Sequence, residues 1–125
     1  MITVLTCGFC VDNGQPTQRG GAATVLLVAD EYGRHASRTI LAPTGNSTKP
    51  QSDLKAAILG LSAIAPRFKS QVVQFSASKY VTSLLDRVNG AYKTKPQKNS
   101  ELISKLRTIS ESFSDLVIFL DYKLH

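Results

Sequence analysis

Apolar residues fill the first eleven positions on both alternating registers. Leu5, Cys7, Phe9 and Val11 occupy one, and Ile2, Val4 and Cys10 the other. A strand covered on a single face alternates apolar with polar, so this pattern predicts a central strand with both faces covered. Asp12-Asn13-Gly14 follows at once and marks a turn, because Asn and Gly take positive φ at little steric cost. A second β-rich run, Ala22–Val28, comes after Gly20-Gly21, so the chain opens as a hairpin. Tyr32-Gly33 marks another turn. Arg34–Leu41 reads as a third strand with Ala36, Arg38 and Ile40 on one register, and its charges imply one wet face. Residues 42–47 read as a loop by composition.

The period then changes from two to 3.6. Leu54, Ala57, Ile58, Leu61, Ile64 and Ala65 form one helical stripe, with Thr48 and Gln51 at capping-box spacing and Pro50 in the first turn. Pro66 ends that helix. Gln71–Phe75 is a short β-branched strand. A second helix carries Val81, Leu84, Leu85 and Val88 on one face, with Asn89-Gly90 as its C-cap. The basic loop Ala91–Lys98 leads through Asn99 or Ser100 into a third helix with Leu102, Leu106, Ile109 and Phe113 inward, and Leu116–Tyr122 closes as a strand. The order β-β-β-α-β-α-α-β predicts an α/β fold: a five-stranded mixed sheet with helices packed on its faces.

At 125 residues the chain is expected to be a single domain, residues 1–125, able to bury a core without staples. Its apolar start has no basic residue ahead of it and no apolar run reaches the length of a membrane span, so an intracellular protein without a membrane partner is expected. Charge changes the picture more. Of a net +6, residues 1–66 hold five Lys/Arg against four acids and residues 67–125 ten against five. The densest part runs from Arg87 to Arg107, where six basic residues face only Glu101. Such a concentrated basic segment fits a polyanionic partner.

Four segments in this order resemble the ribonuclease H family, from about Thr3 to His125. The family's first strand ends Thr-Asp-Gly-Ser, and here Thr6-Cys7-Gly8-Phe9 stands in that place, followed by the Gly/Pro-rich turn. Thr48–Leu61 resembles its first helix, Phe75–Val81 its fourth strand and following helix, and Val88–Lys95 the basic connection beyond. Family chemistry uses two divalent cations about 4 Å apart, held by carboxylates. Carried over by position, the first Asp falls on Cys7, the Glu on Asp53 and the second Asp on Ala77, while the last acid belongs to a helix expected beyond His125. One carboxylate of four remains. The resemblance therefore implies a degenerate member with no metal, no cofactor and no hydrolysis of the RNA strand, a pseudo-ribonuclease H. The paired asparagines that grip a hybrid fall on Lys49 and Pro50, which trades amide recognition for a point charge suited to phosphate.

Binding to nucleic acid, an RNA/DNA hybrid or duplex backbone, is the expected function. Contacts are expected from Lys49, Lys79 and a phosphate-tracking loop of Lys93, Lys95 and Lys98, with Tyr92 as a stacking ring. An alternative is a scaffold domain whose basic loop docks an acidic protein in a nucleic-acid-processing complex, and a third is a nuclease with a rebuilt site. Cys7-Gly8-Phe9-Cys10 is formally a redox spacing. In an extended strand, however, the two Cα atoms stand about 10 Å apart, beyond disulfide reach, so two buried core thiols are expected. Asp53, early in a helix, is favoured there by the dipole whatever its function. Tyr80 is expected to pack rather than stack.

Overall fold

The computed structural model describes residues 2–64, 72–76, 78–95, 98–113 and 116–120. Three strands, β1 (Ile2–Val11), β2 (Arg19–Ala29) and β3 (His35–Gly45), form an antiparallel meander in which Cys7 pairs with Ala23 and Ala23 with Leu41. Its first turn puts Gly14 at positive φ as expected, but the second positive-φ residue is Asp12 and not Asn13. The second closes on Asp30, whose carboxylate accepts from the Tyr32 and Arg34 amides and from the Arg34 guanidinium. β3 runs four residues past the predicted strand, through the segment expected as a loop. Pro43 is tolerated there because β3 lies at the edge of the sheet, where alternate N–H groups face away from the ladder, and beside an irregularity in its pairing at Gly20/Gly21.

Helix α1 (Lys49–Ser62) starts with the predicted capping box: Thr48 Oγ1 accepts from the Gln51 amide, and Gln51 Oε1 accepts from the Thr48 amide. Strand β4 (Val72–Ser76) then lies parallel to β1 with Leu5 opposite Phe75, and β7 (Leu116–Leu120) lies parallel to β4. The resulting order is β3-β2-β1-β4-β7, with β1 paired on both edges. Helix α2 (Lys79–Leu85) is capped by Ser78, and α3 (Ser100–Glu111) packs beside α1.

The second helix ends earlier than its sequence suggests. Arg87–Val88 and Ala91–Tyr92 are two short strands, β5 and β6, joined across Asn89-Gly90. Both turn residues have positive φ, 53° and 82°. A two-residue Asn-Gly hairpin turn needs that conformation as much as a helix C-cap does, and the local sequence does not distinguish them. Val88, expected on the buried face, is exposed. In α3 the buried positions are Ile103, Leu106 and Ser110, and the expected Leu102 and Ile109 are only half-buried.

The core lies on one side of the sheet. Ile2, Val4 and Leu26 meet Leu54, Ala57, Ile58 and Leu61 of α1, and α3 adds Ile103 and Leu106. The other side contradicts the expectation that both faces of β1 are covered. Thr3, Leu5 and Cys7 are half-buried, and Phe9, Val11, Leu27 and Leu41 are exposed at 49, 58, 40 and 72%. Across β1, β2 and β3 this face carries no charged residue between Arg19 at one end and His35 at the other. Among the described residues, no helix is long and apolar enough to cross a membrane.

Candidate nucleic-acid interface

Asp53 sits where β1 meets α1, and its carboxylate is 9% exposed. Its Oδ1 accepts the Gly8 backbone N–H at 2.9 Å, and the Lys49 ammonium reaches both carboxylate oxygens at 2.7 and 2.8 Å. Strand and helix come so close here that a Cβ on Gly8 would collide with the backbone of Ser52 and Asp53. Only glycine allows this approach. Lys49, expected to reach a phosphate, is spent largely on Asp53, although its side chain stays half-exposed.

Because Gly8 faces α1, alternation along β1 turns Cys7 to the opposite side of the sheet. Cys7 and Cys10 are free thiols, and both are half-buried rather than the core thiols expected. The shallow cover over the far face of β1 accounts for Cys7. Ala77 lies outside the described residues. Among the described residues, no three His, Cys, Asp or Glu side chains converge. The family's chemistry uses two hard cations, whereas the Asp53 oxygens here already hold an ammonium and an amide N–H. Among the described residues, this donor set does not fit a metal pair.

The cationic side chains gather elsewhere, at the end of the molecule where three helices begin. Gln51 donates to Asn99 Oδ1 at 3.0 Å, and the Asn99 amide donates to the Tyr80 hydroxyl at 3.3 Å. This chain of bonds ties the first turns of α1, α2 and α3 together. It brings Lys49, Lys79 and Lys98 to one end, with Lys79 and Lys98 exposed. Asn99 adopts φ 59° to do so and uses its side chain for the network instead of capping α3. Tyr80 packs against the core, as expected.

Lys93 and Lys95 lie on a segment fixed from behind. Arg107 donates from Nε to the Leu84 carbonyl at 3.0 Å and from its terminal nitrogen to the Thr94 carbonyl at 2.8 Å. Thr94 Oγ1 donates to Ser83, and the Lys93 amide to Asp86. The lysine side chains remain exposed. Tyr92 is not the free stacking ring expected. Arg107 and Arg87 lie over it at 4.0 and 4.4 Å from its centroid, and its hydroxyl donates to Glu111 at 2.7 Å while accepting from Arg87 at 2.6 Å. Arg107 is the residue that the sequence reading missed. Its partners are backbone carbonyls, and these leave no trace in side-chain pattern. Between these pieces lies an open cavity of about 440 Å³, walled by Pro50, Tyr80, Leu84 and Ile103 and rimmed by Lys95 and Lys98.

No protein-family model and no curated protein matches the chain. Solved structures do. A prototype foamy virus protease-reverse transcriptase matches with a TM-score of 0.74 and 18% identity over 96% of this chain, which spans 17% of that much longer polypeptide. LC11-RNase H1, crystallised in complex with an RNA/DNA hybrid, matches with a TM-score of 0.73 and 21% identity, covering 97% of this chain and 85% of that one. RNase H1 from the halophilic archaeon Halobacterium salinarum NRC-1 gives 0.69 and 20%, covering 96% and 84%. The chain has a ribonuclease H-like fold.

Proposed function

We propose that this chain of ribonuclease H-like fold, acting as one domain over residues 1–125, binds nucleic acid through phosphate contacts and does not cleave it. The observation that carries the reading is the gathering of exposed Lys79, Lys93, Lys95 and Lys98 around one end of the helical layer, on segments fixed by Asn99 and Arg107. A similar fold holds an RNA/DNA hybrid in LC11-RNase H1. The Lys49–Asp53 pair stands against hydrolysis, because it neutralises a carboxylate that a two-cation mechanism needs free.

Phosphate binding releases counterions, so affinity must fall steeply with salt. Titration of hybrid, duplex RNA, duplex DNA and single strands across salt concentrations tests the binding. Replacing Lys93, Lys95 and Lys98 with Ala is expected to weaken it and flatten the slope. Incubating hybrid with Mg²⁺ or Mn²⁺ is expected to leave it intact, and cleavage lost on Asp53→Asn would instead establish a rebuilt nuclease. A second reading, docking to a protein, is favoured by the uncharged exposed sheet face with Phe9, Val11, Leu27 and Leu41. It replaces the first if no nucleic acid binds at low salt.

A further inference from the structure

We propose that the cavity between the first turns of α1 and α3 and the body of α2 receives one unstacked nucleobase, with the adjoining phosphate held by Lys95 and Lys98. The proposal rests on the nucleic-acid reading and makes it more specific: strands with an unpaired nucleotide bind in preference to fully paired duplex.

The walls argue for a base rather than a bare phosphate. Pro50, Tyr80, Leu84 and Ile103 offer apolar surface, from which an anion gains nothing and the face of a base gains stacking and burial. The volume, about 440 Å³, lies in the range of small-ligand sites. Lys95 and Lys98 stand on the rim, where the charged backbone of an inserted nucleotide would remain. The polar atoms nearest the walls serve each other: Tyr80 OH accepts from Asn99, and Asn99 Oδ1 accepts from Gln51. Recognition in the cavity is therefore by shape and stacking, with little discrimination among the four bases. The site is also preformed, since Arg107 joins Leu84 on one wall to Thr94 at the edge.

The test compares a blunt DNA duplex, the same duplex with a short single-stranded overhang, and a single strand, at one low salt concentration. The overhang and the single strand are expected to bind about tenfold tighter than the blunt duplex, the size of effect one stacked base supplies. The preference should persist whichever base occupies the overhang. Thr94→Trp, which fills the cavity from its exposed edge, should abolish it. An independent measurement on the unaltered protein uses 2-aminopurine in the overhang, whose fluorescence should change on binding. The same probe placed within the duplex should not respond. Equal affinity for blunt and overhanging duplexes, or a preference that survives Thr94→Trp, overturns the cavity proposal while phosphate binding stands. If none of the three binds, the cavity proposal falls, and the nucleic-acid reading falls with it only if hybrid and duplex RNA also fail to bind at low salt.

Discussion

Gly8 and Asp53 show how much one backbone approach can fix. The Gly8 N–H is buried and its acceptor is the Asp53 carboxylate, so the pair fastens β1 to α1. Adding a single methyl at Gly8 forces strand and helix apart, and Gly8→Ala is expected to cost about 3 kcal/mol in urea unfolding. Gly14→Ala is the control. Nothing stands within 4 Å of a Cβ there, and only its φ of 83° resists, so the loss should be about 1 kcal/mol. Asp53→Ala strands the Gly8 N–H without an acceptor and should cost about 2 kcal/mol, more than Lys49→Met, whose ammonium is half-exposed. Equal losses from the two substitutions would show that the ion pair, not the amide bond, holds the corner. Asp30 supplies a pH test. The Arg34 amide holds its carboxyl below the usual 3.8, helped by the Arg34 side chain and the Tyr32 amide and opposed by desolvation. A carboxyl depressed in the folded state contributes stability that is fully present above its unfolded value and is lost as pH falls through its folded one. Following the Asp30 side-chain carbon by NMR should give a midpoint below 3.8, and a midpoint at or above that value would mean the turn bonds do not form.

Between elements, Arg107 organises the basic segment. Its guanidinium bonds two carbonyls 10 residues apart, at Leu84 and Thr94, and lies over Tyr92. Arg107→Ala should therefore raise amide exchange at Lys93, Thr94 and Lys95 and weaken nucleic-acid binding several-fold. Arg107→Lys keeps the charge but not the planar fork, so it should recover little of the protection. Recovery by lysine would reduce the role of Arg107 to its charge. This pattern also shows why some elements were legible in the sequence and others were not. The capping box at Thr48 and Gln51 is local and was readable, as were the turn at Asp12–Gly14 and the stripe of α1. The end of α2 was not, because the positive φ of Asn89 and Gly90 serves a cap and a hairpin equally. The Asp53 corner was half-legible: its early position in the helix was plain, but its partner lies 45 residues away in a backbone amide. The alternation of β1 could have shown that Cys7 and Gly8 face opposite sides. Which side α1 covers depended on the tertiary packing.

At the scale of the whole molecule, the sheet separates two surfaces of opposite character. Helices α1 and α3 cover one side and bring the lysines to its end, while the other side presents Phe9, Leu27 and Leu41 with no charge among them. If nucleic acid and any protein partner use different sides, substitutions on one should leave the other untouched, because sites without shared partners contribute nearly additively. Leu27→Gln with Leu41→Gln keeps the net charge at +6 and replaces side chains already exposed, so stability should change by no more than about 0.5 kcal/mol. Affinity for oligonucleotides should not change, while binding of a hydrophobic dye such as ANS should fall. Changing Lys93, Lys95 and Lys98 to Ala removes three positive charges and takes the net from +6 to +3. If each contacts a phosphate of duplex DNA, the salt slope should drop by about 2–3, with dye binding unaffected. Salt titrations and dye fluorescence on the two variants and on their combination decide the matter. An oligonucleotide affinity that falls as far with the leucine pair as with the lysine triple would mean nucleic acid wraps onto the open sheet face, and that the two sides form one surface.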